Sequence, residues 1–588
     1  MIGRNPHKKV LGLRRRPAID GRIAKLSAFR LAGTICLIAT LAATASANTE
    51  ALHARIDQLI AARMPTEAAP AATDSEFVRR LYLDLTGCIP STAEARAFID
   101  SSDSGKRTAL IERLLASPQY ARRMQVFFDL VWMERRPEAN VPNAEWAEYL
   151  RASFAAGKPY DQLVREILSA DGTDPALRPA MKFYLDRGGD QNLVTRDIGR
   201  LFLGRDLQCA QCHDHPLIDD YKQEHYYGLL AYFNRSSIFT DKSNQKYIAD
   251  KADGEVSFKS VFLDEQPRST PPRLPDGPMP EEPKFNAGEE YVVAPADGVR
   301  PVPKYSRRSK LAPELTSAER RDFRRNVVNR LWAMMFGRGI VDPVDLHHSE
   351  NPPSHPELLD LLADEFAGAS FDVRWLLREL ALTSTYQRAS DHPSIDPNQL
   401  PPQSYSVALL KPLSPEQLGW SVLEATGVSA AYRAGVQAEI DGDTKLAHIL
   451  ASDEARQRQA IEIAERRFYE RLAPSLGEFV NLFGGPPGSP APGFQATVHQ
   501  ALFFDNGGTV RSWLAPSGSN LLARTAALPD SSSQVEEIYL TVLTRRPDIE
   551  ERTLAVDALN ARPAAERPAA LEELAWALLA SAEFRLNH

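Results

Sequence analysis

The feature that most limits how this chain can fold is a repeat. "RRLYLDLTGCIPSTAEARAFI" (Arg79 to Ile99) aligns with "EEIYLTVLTRRPDIEERTLAV" (Glu536 to Val556), placing Tyr82 on Tyr539, Pro90 on Pro547 and Glu94 on Glu551. Each is followed by a second helical pattern with a shared ending, "ERLLASPQY" (Glu112 to Tyr120) and "WALLASAEF" (Trp576 to Phe584). A third, weaker copy runs from "VNRLWAMMFG" through "SHPELLDLLADEF" to "LLRELALTSTYQ". A helix, turn and helix unit of this kind has a leucine face that it cannot bury alone. The intervals between copies are unequal, so the copies are expected to pack against each other rather than form a long solenoid.

Helix signals dominate elsewhere too. Ser91-x-x-Glu94, Thr316-x-x-Glu319, Ser354-x-x-Glu357, Ser414-x-x-Gln417 and Asp548-x-x-Glu551 read as caps with reciprocal partners, and Pro356 and Pro415 suit first helical positions. Phe77, Leu81 and Leu85 recur four apart, as do Leu110 and Leu114. The charged stretch "SDEARQRQAIEIAERRFYERL" reads as an amphipathic helix with Ile461, Ile463 and Phe468 inward. Between Ile238 and Lys310 the pattern changes to ten prolines from Gln266 to Lys304, with "EVSFKSVFL" and "EYVVAP" as the strand-like runs. Tyr291, Val292, Phe258 and Phe262 would be poorly placed in a solvated linker, so an ordered arm over the helices is an alternative. The expected fold is mainly α: helical domains with repeated helix-turn-helix units, and a small irregular, β-containing proline-rich middle segment. The expected divisions are a leader over 1–47, a helical domain over 48–237, the arm over 238–315 and a C-terminal helical domain over 316–588.

The leader follows from charge and hydropathy. Lys8, Lys9, Arg14, Arg15, Arg16, Arg22, Lys25 and Arg30 precede "LAGTICLIATLAATASA", which ends in small residues at Ala45-Ser46-Ala47. That order is the one a secretory signal peptide uses. The run is near the lower length limit for a membrane span, so a retained anchor is the alternative. Export to the periplasm or cell envelope is expected, with no span remaining after cleavage. A net charge of −8 over 588 residues gives no basic field for nucleic acid. Cleavage would remove Cys36 and leave Cys88, Cys209 and Cys212, too few for a disulfide framework.

"LQCAQCHDHPLIDDY" (Leu207 to Tyr221) carries the chemistry. Val194, Ile198, Leu201 and Phe202 mark a helix face ahead of it, and Pro216 should stop that helix. Cys209, Cys212 and His213 then fall at i, i+3 and i+4, on one side of a helical turn. Cys-x-x-Cys-His is the attachment signature of c-type haem, in which two thiols add to vinyl groups and the histidine supplies an axial nitrogen. Met181 or His225 could supply a second axial ligand, and less plausibly Met124 or Met133. Three other readings stay open: a zinc set of Cys209, Cys212, His213 and His215; a working dithiol; or a static disulfide with no cofactor. His347, His348 and His355 with Asp345 and Glu350 form a further metal candidate. "GGPPGSPAPG" (Gly484 to Gly493) is a loop by composition. No Gly-x-Ser-x-Gly, His-Glu-x-x-His or Gly-x-x-x-x-Gly-Lys occurs, so three common hydrolase and nucleotide signatures are missing.

The stretches "FVRRLYLDLTGCIPSTAEARAFI", "KRTALIERLLASPQY" and "CAQCHDHPLIDDYKQEHYYGLLAYF" resemble the planctomycete cytochrome-like domain of unknown function. "VVNRLWAMMFGRGIVDPVDLHHSENPPSHPELLDLLADEF", "LLRELALTSTYQ", "VEEIYLTVLTRRPDIEER" and "LLASAEFRLNH" resemble the companion domain of unknown function that usually follows it. The resemblance implies an exported cytochrome-like protein, with haem and electron transfer to a redox partner centred on Cys209, Cys212, His213, Asp214, His215 and Pro216. The alternative is a cell-envelope scaffold or binding protein with a structural disulfide or zinc at the same cysteines.

Overall fold

The computed structural model describes residues 50–264, 266–443, 454–488, 503 and 508–588, and among these 22 α-helices and four two-stranded sheets carry the fold. The chain begins with α1 (Leu52–Ala61), α2 (Asp74–Leu85), α3 (Thr92–Asp100), α4 (Lys106–Leu115), α5 (Pro118–Met133), α6 (Asn143–Ala155) and α7 (Tyr160–Ser169). A 3-10 segment (Pro175–Met181) leads to α8 (Lys182–Leu185), α9 (Gln191–Leu203), a second 3-10 turn (Cys209–Gln211) and α10 (Gln223–Leu230). Three antiparallel hairpins follow: β1 (Ser236–Thr240) with β2 (Lys246–Asp250), β3 (Val256–Phe258) with β4 (Arg268–Thr270), and β5 (Tyr291–Val293) with β6 (Val302–Pro303). Next come α11 (Arg307–Leu315), α12 (Arg321–Phe336), α13 (Pro356–Gly368), α14 (Val373–Leu382), β7 (Lys411–Pro412), α15 (Pro415–Thr426), α16 (Val428–Gly442) and α17 (Glu454–Phe483). The last elements are α18 (Gly508–Leu514), α19 (Leu521–Ala526), α20 (Ser531–Leu543), α21 (Ile549–Asn560), α22 (Arg567–Ala580) and β8 (Leu586–Asn587), which pairs with β7.

The repeat has a backbone cause. In α2, α12 and α20 the aromatic (Tyr82, Trp332, Tyr539) is followed five residues later by a left-handed residue: Gly87, Gly337 and Thr544, at φ 76°, 83° and 63°. That conformation ends a helix and suits glycine, while Thr544 adopts it at some cost. The shared endings have a cause as well. Ser117, Thr383 and Ser581 each donate from the hydroxyl to the carbonyl three residues back, at 2.6, 2.7 and 2.7 Å. Each hydroxyl also accepts from the N–H of the aromatic three residues on: Tyr120, Tyr386 and Phe584, at 3.3, 3.0 and 3.2 Å. One small hydroxyl thereby satisfies two helix-end groups and turns a buried aromatic inward. The third copy, weak in sequence, has the same arrangement.

The copies meet at Asp84 of α2. Its buried carboxylate accepts from Lys411 Nζ (2.6 and 2.7 Å), from the Tyr386 hydroxyl at the end of the weaker copy (2.8 Å) and from Asn587 Nδ2 just beyond the C-terminal copy (2.7 Å). Burial holds the Lys411 ammonium below its usual pKa despite the carboxylate opposite. Alongside, Arg79 donates to the Val542 and Phe584 carbonyls, and Arg80 to those of Tyr386 and Arg388. Buried charge of this kind persists when most of its protons and lone pairs find partners, although Arg79 Nε and Asn587 Oδ1 have none among the described residues. Leu52–His588 form one compact unit with two main cores. The larger runs from Leu52 through α14 to Tyr405, and the second joins α15 and the last helices to Leu83 and Ile89 of the first copy. The cores thus cross the division between 48–237 and 316–588.

Several expectations need correction. Capping boxes form at Ser91/Glu94, Ser414/Gln417 and Asp548/Glu551. Thr316 instead closes α11, donating to Ala312, and Ser354 donates to Ile340, so neither opens a helix. The middle segment is an ordered arm of hairpins with Phe258 buried, although Val292 and Phe262 are exposed. Ile461 faces solvent, while Phe468 is buried. The leader 1–47 and residues 489–493 of the Gly484–Gly493 loop lie outside the described residues.

Candidate functional site

The helix bearing Val194, Ile198, Leu201 and Phe202 ends well before Pro216, at left-handed Gly204 (φ 70°). A Cβ at Gly204 would fall 2.7 Å from the His347 ring, so the chain needs both the conformation and the missing side chain there. The cysteines consequently sit on their own 3-10 turn rather than on the end of α9. Cys212 and His213 both direct their N–H to the Cys209 carbonyl, at 3.2 and 3.4 Å. Cys209 and Cys212 are free thiols and exposed to solvent. Behind them Leu207, Ala210, Tyr221 and Tyr226 form a small separate core.

The two histidines of the turn are fixed in opposite tautomers. His213 Nδ1 lies 2.6 Å from the Asp214 carbonyl, which can only accept. Nδ1 therefore carries the proton and Nε2 a lone pair. His215 Nδ1 instead receives the N–H groups of Leu217 and Ile218, at 3.2 and 3.0 Å. Its lone pair is consumed and its proton lies on Nε2. His213 is thus set up as a ligand, and His215 as a brace for the loop. Asp214 caps α10 by accepting from the Gln223 N–H at 2.7 Å.

The other proposed ligands lie elsewhere. Met181 is fully buried in the main core, its sulfur against Gly172. His225 donates from Nδ1 to the Asp220 carbonyl (2.8 Å) and turns Nε2 toward Asp276 (3.8 Å). Tyr227, two residues on and about 200° around α10, is the residue that reaches the cysteine turn, through its hydroxyl to the Gln211 carbonyl at 2.8 Å. His225 thus faces away from the turn, and burial keeps its pKa below the usual value. Met124 and Met133 are buried in the main core as well. Among the described residues no group of three or more His, Cys, Asp and Glu side chains is placed to hold a metal ion. The zinc set Cys209, Cys212, His213 and His215 is accordingly not gathered, and neither is the second histidine cluster. Asp345 is held by Arg200 and Arg330, His355 bonds Ser354, and His347 is half-buried beside Asn329.

Sequence reasoning passed over the surroundings of the turn. The Cys212 carbonyl accepts from the Val261 N–H at 3.0 Å, and the Phe262 ring lies 4.8 Å from that of His213. Val261, Phe262, Leu263 and Leu217 are 64, 76, 62 and 80% exposed. Val261, Phe262 and Leu263, three successive large apolar residues closing the run "EVSFKSVFL", were the available signal. On the opposite side, Tyr221 donates to the His347 carbonyl (3.2 Å) and Asp220 accepts from the Ser349 N–H (2.6 Å). These contacts border an open polar cleft of about 570 Å³, lined among others by Arg205, Asp276, Arg325, His347 and His348. Burial, then Arg330 and Arg325, push His347 down to about 4.

Residues 55–237 match the sequence model of PSCyt2, described as a protein of unknown function (DUF1549). Residues 307–559 match that of PSD1, described as a protein of unknown function (DUF1553). The chain thus carries a PSCyt2 region followed by a PSD1 region, a cytochrome-like domain and its C-terminal companion, both of unknown function. No curated protein matches it, and no solved structure does. The cysteine turn lies in the PSCyt2 part, while the residues that receive Tyr221 and Asp220 belong to the PSD1 part.

Proposed function

We propose that the Cys209–His213 turn is a covalent attachment site for c-type haem, and that the protein is an exported electron-transfer protein working with a redox partner. The observation that carries this reading is the combination of two exposed free thiols with a His213 whose Nε2 lone pair is fixed by the Asp214 carbonyl. The donor set fits the anchoring half of such a group. Each thiol would add across a vinyl double bond, forming one C–S bond while its hydrogen goes to the neighbouring vinyl carbon, so no oxidant is consumed. Haem bound there supplies a one-electron carrier. His213 would hold the iron through Nε2, and His215 holds the loop backbone that orients His213. The basic and apolar leader before Ala47 supports export, because haem attachment of this type suits an extracytoplasmic protein. Neither Met181 nor His225 enters the proposal, since one is packed in the core and the other faces Asp276.

Expression of the full chain with a haem-attachment system tests it. Soret absorbance that survives denaturation, and is lost in Cys209→Ser with Cys212→Ser, is the expected result. A colourless product with both thiols open to alkylation overturns it.

A further inference from the structure

The hairpin β3–β4 leaves its tip in an unusual position. Most of the hairpin is secured: Val256 and Phe258 are buried, Phe258 stacks on Tyr227 at 4.4 Å with the rings 5° from parallel, and Gln223 Nε2 donates to the Lys259 carbonyl at 3.3 Å. Tyr227 in turn holds the cysteine turn through Gln211, and the Val261 N–H holds Cys212. Turn and hairpin are therefore tied together by hydrogen bonds and a ring stack. Yet Val261, Phe262 and Leu263 are all more than half exposed, and Leu217 on the cysteine loop itself is exposed too. Single exposed apolar residues are ordinary, but a run of three fixed beside two thiols is a contact surface.

We infer that this patch is the wall of the haem site, with the porphyrin itself as its occupant; the inference rests on the haem reading above. Chemistry at the same place selects that guest. A macrocycle held by Cys209 and Cys212 and facing His213 is flat and largely apolar. Phe262 already lies against the ring of His213, and the backbone bond from Val261 to Cys212 fixes the distance between anchor and wall. The tip loop also carries Lys259 and Asp264, so it is the adjoining thiols and His213, not a lack of nearby charge, that select the guest.

Hydroxyl-radical footprinting of the full chain separates the outcomes. Haem-loaded protein is compared with the Cys209→Ser, Cys212→Ser protein; both changes are at exposed positions. At least a threefold fall in oxidation of Phe262, Leu263 and Leu217 on loading, with Leu410 and Ile549 unchanged as exposed references, is expected. Haem attached without that protection overturns the inference while leaving the haem reading intact. Protection in the haem-free protein that grows with its concentration also overturns it, because a second copy is then the occupant. Failure of haem to attach removes both.

Discussion

At Asp84, Lys411, Tyr386 and Asn587 saturate one buried carboxylate, and three helical copies are joined through it. At Cys209 and Cys212, two thiols stand in solvent with their backbone tied from behind and their sulfurs unengaged. The first region uses its polar groups up within the chain, whereas the second keeps them available. Satisfied buried charge gives a specific junction; reactive groups on a braced surface turn give a place for a guest.

The largest expected effect breaks the first half of that contrast. Asp84→Ala leaves the Lys411 ammonium buried and unpaired, and should cost about 3–5 kcal/mol, read as a lower denaturation midpoint in urea. A loss under about 1 kcal/mol would mean that the copies are joined by apolar packing alone. Acid probes the seam between the two regions. His347 has a folded pKa of about 4 against about 6.5 unfolded, so protons favour the unfolded chain. Its contribution is fully present above pH 6.5 and is lost as the pH falls to 4, amounting to about 3 kcal/mol. In His347→Gln the slope of stability against pH between those values should flatten; an unchanged slope would assign the acid sensitivity elsewhere. Thr383→Val removes the hydroxyl that both closes α14 and receives Tyr386, and about 1 kcal/mol is expected by thermal unfolding. Ser581→Ala should match it if the two copies are equivalent. The smallest effect sharpens the second half: Cys209→Ser with Cys212→Ser should change stability by less than about 0.5 kcal/mol, whatever it does to colour.

The helical body was legible because its signals are local: caps, leucines four apart, and a Ser or Thr three residues before an aromatic. Three capping boxes formed as read, while Thr316 and Ser354 present the same spacing and are spent on carbonyls behind them. The Asp84 junction was not legible. Its partners lie 327 and 503 positions away, and no local pattern announces them. At the cysteine turn, the order of residues showed which groups were chemical but not their setting. Gly204 ends the helix early because His347, far along the chain, occupies the space beside it. The tautomers of His213 and His215 depend on backbone groups that only a folded loop supplies. Phe262 stood out as too apolar for a linker, but exposure beside His213 is a tertiary fact.

The strand pair at Lys411–Pro412 and Leu586–Asn587 has a consequence for biogenesis. Asp84 and Asn587 are 503 positions apart, so a nascent chain carries the first without the second over that whole span and cannot complete this centre until Asn587 has emerged. Products that stop short of Asn587 lack one donor to the Asp84 carboxylate and the strand that pairs with Lys411–Pro412, so this junction closes late in the order of synthesis.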